Sequence, residues 1–321
     1  MSSGSMGSEA EGAGRGSAKG GPALEAEWPR QGLVIPRSQP SIGGWTVPSI
    51  LEVGALWAVM VFSGAAVLGF ASFGMNPELL ARYPSTIPFY TTSYRLFSIG
   101  QILLAGGALM VLLLLRSGIR WIPLFLSAYF IGLGTELSGT AFGFPFGPYE
   151  YTGLLGPRWF DLVPLVIPLS WFLMAVPSFH LALRIAPGVG MVGWVVLGAL
   201  FLTAWDLALD PAMSYATVYW RWEVDGAYYG MPWINLFGWI FTSVLIMGSF
   251  IALGAHRWLG ELPTKWMVSF YAANVLLALG MAAAAGLVWA VLLTLTAYLA
   301  LWALARSWQG RAVASARSGA R

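Results

Sequence analysis

The chain of 321 residues has no cysteine and only two histidines, His180 and His256. The first absence excludes disulfides, thiolate nucleophiles and iron–sulfur clusters. The second excludes the histidine-rich di-iron sites of membrane hydroxylases and desaturases, which need many clustered imidazoles to hold metal. Charge is scarce as well: only 10 % of residues are Asp, Glu, Lys or Arg, against about 25 % in soluble domains. Nucleotide-binding signatures are missing too. "GVGMVG" (188–193) fits G-x-G-x-x-G by its letters, but it opens an apolar helix with no strand before it. "PFGPYEYTG" (145–153) lacks the GK[ST] ending of a phosphate-binding loop. No nicotinamide, flavin or ATP site is therefore expected, and no repeat with a period of about 20 to 50 residues is visible.

What the chain does have is apolar surface. With 58 % hydrophobic residues and a mean hydropathy of +0.70 it is a membrane protein. Apolar windows of about 19 residues fall near 50–73, 93–115, 119–139, 163–185, 189–209 and 233–254, followed by a tract over 266–306. That tract is too long for one span. Gly280 and Gly286 in "LGMAAAAGL" offer a turn inside it, so the sequence predicts an all-α polytopic bundle of eight transmembrane helices. The positive-inside rule agrees. With eight spans, Arg82, Arg95, Arg158 and Arg221 fall on one side and the other thirteen basic residues on the opposite one, whereas seven spans would divide them almost evenly. Both termini are thus expected in the cytoplasm, with the protein integral to the cell membrane.

Residues 1–45, rich in Gly, Ser and Ala, lack the apolar core of a signal peptide and read as a disordered tail. Residues 46–306 form the transmembrane domain and 307–321 a basic C-terminal tail. The pI near 9.2 comes mostly from the tails and cytoplasmic loops. It speaks for orientation against anionic lipid and against nucleic-acid binding.

Acids gather on the side with few basic residues. Glu136, Glu150, Asp161, Asp206, Asp210, Glu223 and Asp225 lie at or between the ends of spans 3 to 6, among a dense set of Tyr, Trp and Phe. In "TAWDLALDPAM" (203–213), Asp206 and Asp210 stand one helical turn apart in otherwise apolar sequence. An ionised carboxylate in lipid costs at least about 2.5–3.5 kcal/mol, so Asp206 is expected to face the bundle interior or a wet cavity. Glu136 in "GLGTELSGT" has the same standing, while Glu52 is expected at the interface. Two like charges in a low-dielectric site disfavour double ionisation, leaving a proton-bearing carboxyl beside an anion. Such a pair can protonate a substrate and then steady the cation that results. Blander readings stand beside these. Asp210 before Pro211 fits a helix N-cap, the aromatics fit an interfacial belt, and Glu150 and Asp225 fit solvated loops. A magnesium-dependent prenyltransferase would also use DxxxD, but it needs further acids and several basic residues for diphosphate. A transporter or carotenoid-binding scaffold could use buried acids as a proton relay or for packing.

"TELSGTAFGFPFGPYEYTGLLGPRWFDLVPLVIPLSWFLM" (135–174) and "DLALDPAMSYATVYWRWEVDGAYYGMPWINLFGWIFTS" (206–243) resemble the CruF-type membrane proteins of carotenoid biosynthesis, the carotenoid 1,2-hydratases. The likeness extends through the hydrophobic layout of residues 50–300. It implies hydration of the terminal C1–C2 double bond of an acyclic end group of the lycopene, gamma-carotene or bisanhydrobacterioruberin type, without cofactor or metal. It also implies a membrane-dissolved carotenoid as partner and association with other carotenoid-pathway enzymes. Inside the matching motifs, Asp206 or Asp210 is expected to donate the proton, with Glu136 orienting water or sharing the proton. Tyr149, Tyr151, Trp220 and Trp222 are expected to stabilise the cation, and Asn235 to hold a water. The main alternative is a carotenoid cyclase, which begins with the same protonation. A rod-like carotenoid should enter sideways between helices, with spans 4 and 5 as gateposts because Pro164, Pro168 and Pro177 interrupt span 4.

Overall fold

The computed structural model describes residues 41–42 and 45–318, with side chains over 49–308; most of the tail expected at 1–45 lies outside the described residues. Where lipid offers no hydrogen bonds, apolar runs satisfy their backbone internally as helices. The main helices are α1 (Val47–Gly69), a short α2 (Pro77–Arg82), α3 (Ile87–Ser117), α4 (Ile122–Phe142), α5 (Ile167–Ile185), α6 (Gly190–Asp210), α7 (Ile234–Ala252), α8 (Thr264–Ala284) and α9 (Val288–Ser318). A wide, π-helical turn prolongs α1 over Phe70–Gly74 and α6 over Pro211–Ala216. Among the described residues eight helices are long and apolar enough to cross a membrane, α2 being the short exception. The architecture is the all-α membrane bundle that hydropathy predicts.

Proline marks the starts. Pro88, Pro123 and Pro168 each sit in the first turn of a helix, where an amide N–H has no intrahelical partner to lose. The long apolar tract breaks at Gly286, whose φ of +70° suits glycine and reverses the chain between α8 and α9. Gly280 is no turn. It lies inside α8, where a Cβ would come within 3.0 Å of the Val67 side chain on α1.

α5 is the centre of the bundle. It packs on α3, α4, α6, α7 and α8, and 83 % of its apolar stretch is buried, the highest share of any span. This corrects the gatepost expectation, because a helix surrounded by five others has no lipid-facing flank to open. Pro164 lies in the short strand Val163–Pro164 and Pro168 in the first turn, so only Pro177 interrupts the helix.

The loops at one end are tied together. Tyr149–Tyr151 pairs antiparallel with Trp220–Trp222, setting Tyr149 opposite Trp222, Glu150 opposite Arg221 and Tyr151 opposite Trp220. The two-residue period of a strand puts the four aromatics on the inner face and the charged pair outside. At the other end Glu52, expected at the interface, is buried near the start of α1. Arg116 reaches it from α3, with Nε donating to Oε1 and Nη2 to Oε2, each at 2.6 Å.

Candidate active site

The Asp-Pro step shapes α6. Asp210 keeps helical dihedrals and makes no cap with its side chain, so the N-cap reading does not hold. Pro211 brings no amide N–H and so leaves the carbonyl four residues earlier without its donor. That carbonyl belongs to Leu207, and the Tyr228 hydroxyl donates to it at 2.7 Å. The helix therefore continues as a wide turn instead of ending, which brings Ser214 back over Asp210.

Four donors close on the Asp210 carboxylate. Ser214 Oγ and Trp222 Nε1 donate to Oδ1 at 2.9 and 3.2 Å, and Trp220 Nε1 and Asn235 Nδ2 to Oδ2 at 3.1 and 3.5 Å. The same Asn235 Nδ2 donates to Asp206 Oδ2 at 3.0 Å. One amide thus bridges both acids. Asp206 is fully buried, and its Oδ1 has no partner in the protein.

Glu136, buried on α4, has its own set. Tyr149 and Tyr151 hydroxyls donate to Oε2, the latter at 2.8 Å, and Trp171 Nε1 donates to Oε1 at 2.9 Å. Burial pushes the Tyr149 and Tyr151 phenols well above the ordinary tyrosine range, and the Glu136 charge adds to it. Both therefore remain protonated donors at neutral pH. The antiparallel ribbon joins the two acid sites: its Tyr149–Tyr151 strand serves Glu136 and its Trp220–Trp222 strand serves Asp210. Tyr149 lies 5.2 Å from Trp222 and Tyr151 lies 6.0 Å from Trp220, ring centre to ring centre.

A cavity of about 490 Å³ adjoins both sites. Glu136 and Asp210 line it together with the four ribbon aromatics, Trp171, Trp205, Trp239 and Asn235. Asp206 is not in its wall and stands behind Asp210. The far wall comes from α1, α3 and α8, and Phe73 and Phe89, 45 % and 77 % exposed, sit at its edge. The cavity therefore reaches the outer surface where α1 ends and α3 begins, not between spans 4 and 5. No Lys or Arg lines it, and among the described residues no three acidic or histidine side chains cluster as metal ligands. A prenyltransferase would find neither its magnesium ligands nor its diphosphate clamp here.

Every residue singled out in the sequence falls in this site: Asp206, Asp210, Glu136, Tyr149, Tyr151, Trp220, Trp222 and Asn235. Of the remaining acids of the group, Asp161, Glu223 and Asp225 are exposed in loops, and Glu150, expected in a loop, is exposed on the outer face of the ribbon strand. The aromatics divide likewise. Phe142, Phe144, Phe160, Tyr215 and Trp233 are exposed as in a belt, while the ribbon rings are buried or half-buried. Two partners were missed. Ser214, four residues after Asp210, follows from helical spacing once the Asp-Pro step is read as helix, while Trp171, one turn into α5, carries no local signal.

A family model described as "Carotenoid biosynthesis protein" matches residues 97–301. Bisanhydrobacterioruberin hydratase of Haloarcula japonica is 28 % identical over 242 residues, which cover 70 % of this chain and 78 % of that protein. No solved structure matches the chain.

Proposed function

This chain belongs to the carotenoid biosynthesis protein family, and from that premise we propose that it adds water across the terminal C1–C2 double bond of an acyclic carotenoid end group. One observation carries the reading: two carboxylates, each wrapped in hydrogen-bond donors, face one aromatic cavity that reaches the outer surface of the bundle. The name of the Haloarcula relative points the same way.

The polyene end enters between the end of α1 and the start of α3 and stops against the ribbon. Two neighbouring buried carboxylates hold one proton between them more readily than none. Asp210, in the cavity wall, delivers that proton to C2, and Asp206 behind it shares the charge through Asn235. Positive charge then develops at the tertiary C1. The Trp220, Trp222, Tyr149 and Tyr151 rings stabilise it through their faces, by about 0.5–2 kcal/mol each. Glu136 steadies it from across the cavity and takes up the proton of the water that attacks C1. That proton returns to the aspartates through water, so each turnover consumes one alkene and one water and moves no electrons. In this reading the protein lies in the cell membrane with both termini cytoplasmic.

Membranes containing the protein and lycopene, incubated in H₂¹⁸O, should yield a tertiary alcohol carrying the label. An unlabelled cyclic isomer would replace the hydratase reading with a cyclase one, and no product at all would remove both.

A further inference from the structure

The seated polyene fills the cavity mouth, yet every turnover needs a water molecule at C1. A second set of buried groups offers another way in. Most hydroxyls in the spans turn back on their own helix: Ser117, Thr135, Thr140, Ser249 and Thr294 each donate to a carbonyl three or four residues earlier. Thr203, Thr242 and Ser243 do not. All three are buried in the bundle, and their Oγ atoms find no partner in the protein.

Their positions continue the active site. Thr203 lies three residues before Asp206 on α6, and Thr242 and Ser243 lie seven and eight after Asn235 on α7. At about 3.6 residues per turn these spacings keep each hydroxyl on the face of its helix that carries the site residue. The register of α6 against α7 brings two of them level. Asn235 meets Asp206 at one height, and Gly198 lies against Met247 at another. Thr203 and Thr242 fall between those contacts. The series starts at the unpartnered Oδ1 of Asp206 and leads away from the aromatic ribbon, toward the end of the bundle where residues 186–189 and 253–263 connect the helices. Buried hydroxyls without protein partners are the groups that ordered water satisfies.

We propose that Thr203, Thr242 and Ser243 line a water-holding seam that delivers the hydrating water to the Asp206–Asp210 pair from the end opposite the ribbon. The proposal rests on the hydratase reading. Its signature is a change in how the carbocation is partitioned. With water, the cation gives the alcohol. Without it, the cation loses a proton from C2 or from an adjacent methyl and becomes an alkene again, so in D₂O the recovered alkene gains deuterium.

The test uses the full chain in membranes with lycopene in D₂O, comparing wild type with Thr203→Val/Thr242→Val/Ser243→Ala, which keeps side-chain size. Hydration should fall at least tenfold while deuterium exchange continues, raising the ratio of exchange to hydration at least tenfold. Thr242→Val alone should shift the ratio in the same direction, and Thr242→Ser, which retains a hydroxyl, should restore it. An unchanged ratio in both the triple and the single variant overturns the seam, whether their rates hold or fall together. A wild type that forms no alcohol at all is a failure of the hydratase reading instead, so the two results are separable.

Discussion

Asp206 and Asp210 share an amide but not a role. Asp210 lies in the cavity wall with four donors around it, and Asp206 lies behind it with one. General acid–base groups contribute about 10²–10⁴-fold. Asp210→Asn and Asp206→Asn should each lower turnover by at least about 100-fold, while absorbance spectra of purified protein show carotenoid still bound. Full activity in both variants would end the assignment of the aspartates. The carboxylates themselves were legible in the sequence, because a charge inside an apolar run has few purposes. Their partners were less so. Tyr149, Tyr151, Trp220 and Trp222 stand out as aromatics near acids, yet nothing local says that their O–H and N–H groups hold those acids as well as lining the cavity. Nor does composition separate Trp222, in the site, from Trp233, exposed near the start of α7.

Between the residues and the bundle stand the elements that fix the ribbon. Phe146, just before the first strand, is clamped by two glycines. A Cβ on Gly139 of α4 would come within 2.8 Å of its ring, and one on Gly238 of α7 within 2.3 Å. Its ring in turn packs against Tyr149 and Trp171, two donors to Glu136. Gly238→Ala should therefore destabilise the protein by about 1–3 kcal/mol, as overpacking does, and reduce turnover. Gly248→Ala, on the same helix with nothing near its Cβ position, should be neutral or gain up to about 1 kcal/mol. Melting temperatures in detergent would check both, and equal effects would disprove the clamp. Hydropathy read the helices well because about 19 apolar residues are a strong signal. The ribbon escaped it: three residues of alternation are too short to mark a strand, and the partner strand lies across two spans in sequence.

At the scale of the molecule, hydropathy tells how many helices cross but not which ones touch. Span 4 looked like a gate because of its prolines, and it proves to be the axis, while α1 and α3 carry the mouth. Orientation is open to a direct check that the missing cysteines make clean. Glu223→Cys, in an exposed loop on the ribbon side, should react with a membrane-impermeant maleimide on intact cells, and Glu261→Cys, exposed at the opposite end, only after permeabilisation. The reverse pattern would invert the topology. The pairing of Tyr149–Tyr151 with Trp220–Trp222 has one more consequence. A slip of one residue in the first strand would turn Tyr149 and Tyr151 outward and leave Glu136 with Trp171 alone, and the same slip in the second would take Trp220 and Trp222 from Asp210. A slipped ribbon therefore leaves at most one acid fully wrapped, and native pairing works as an interlock that arms both together.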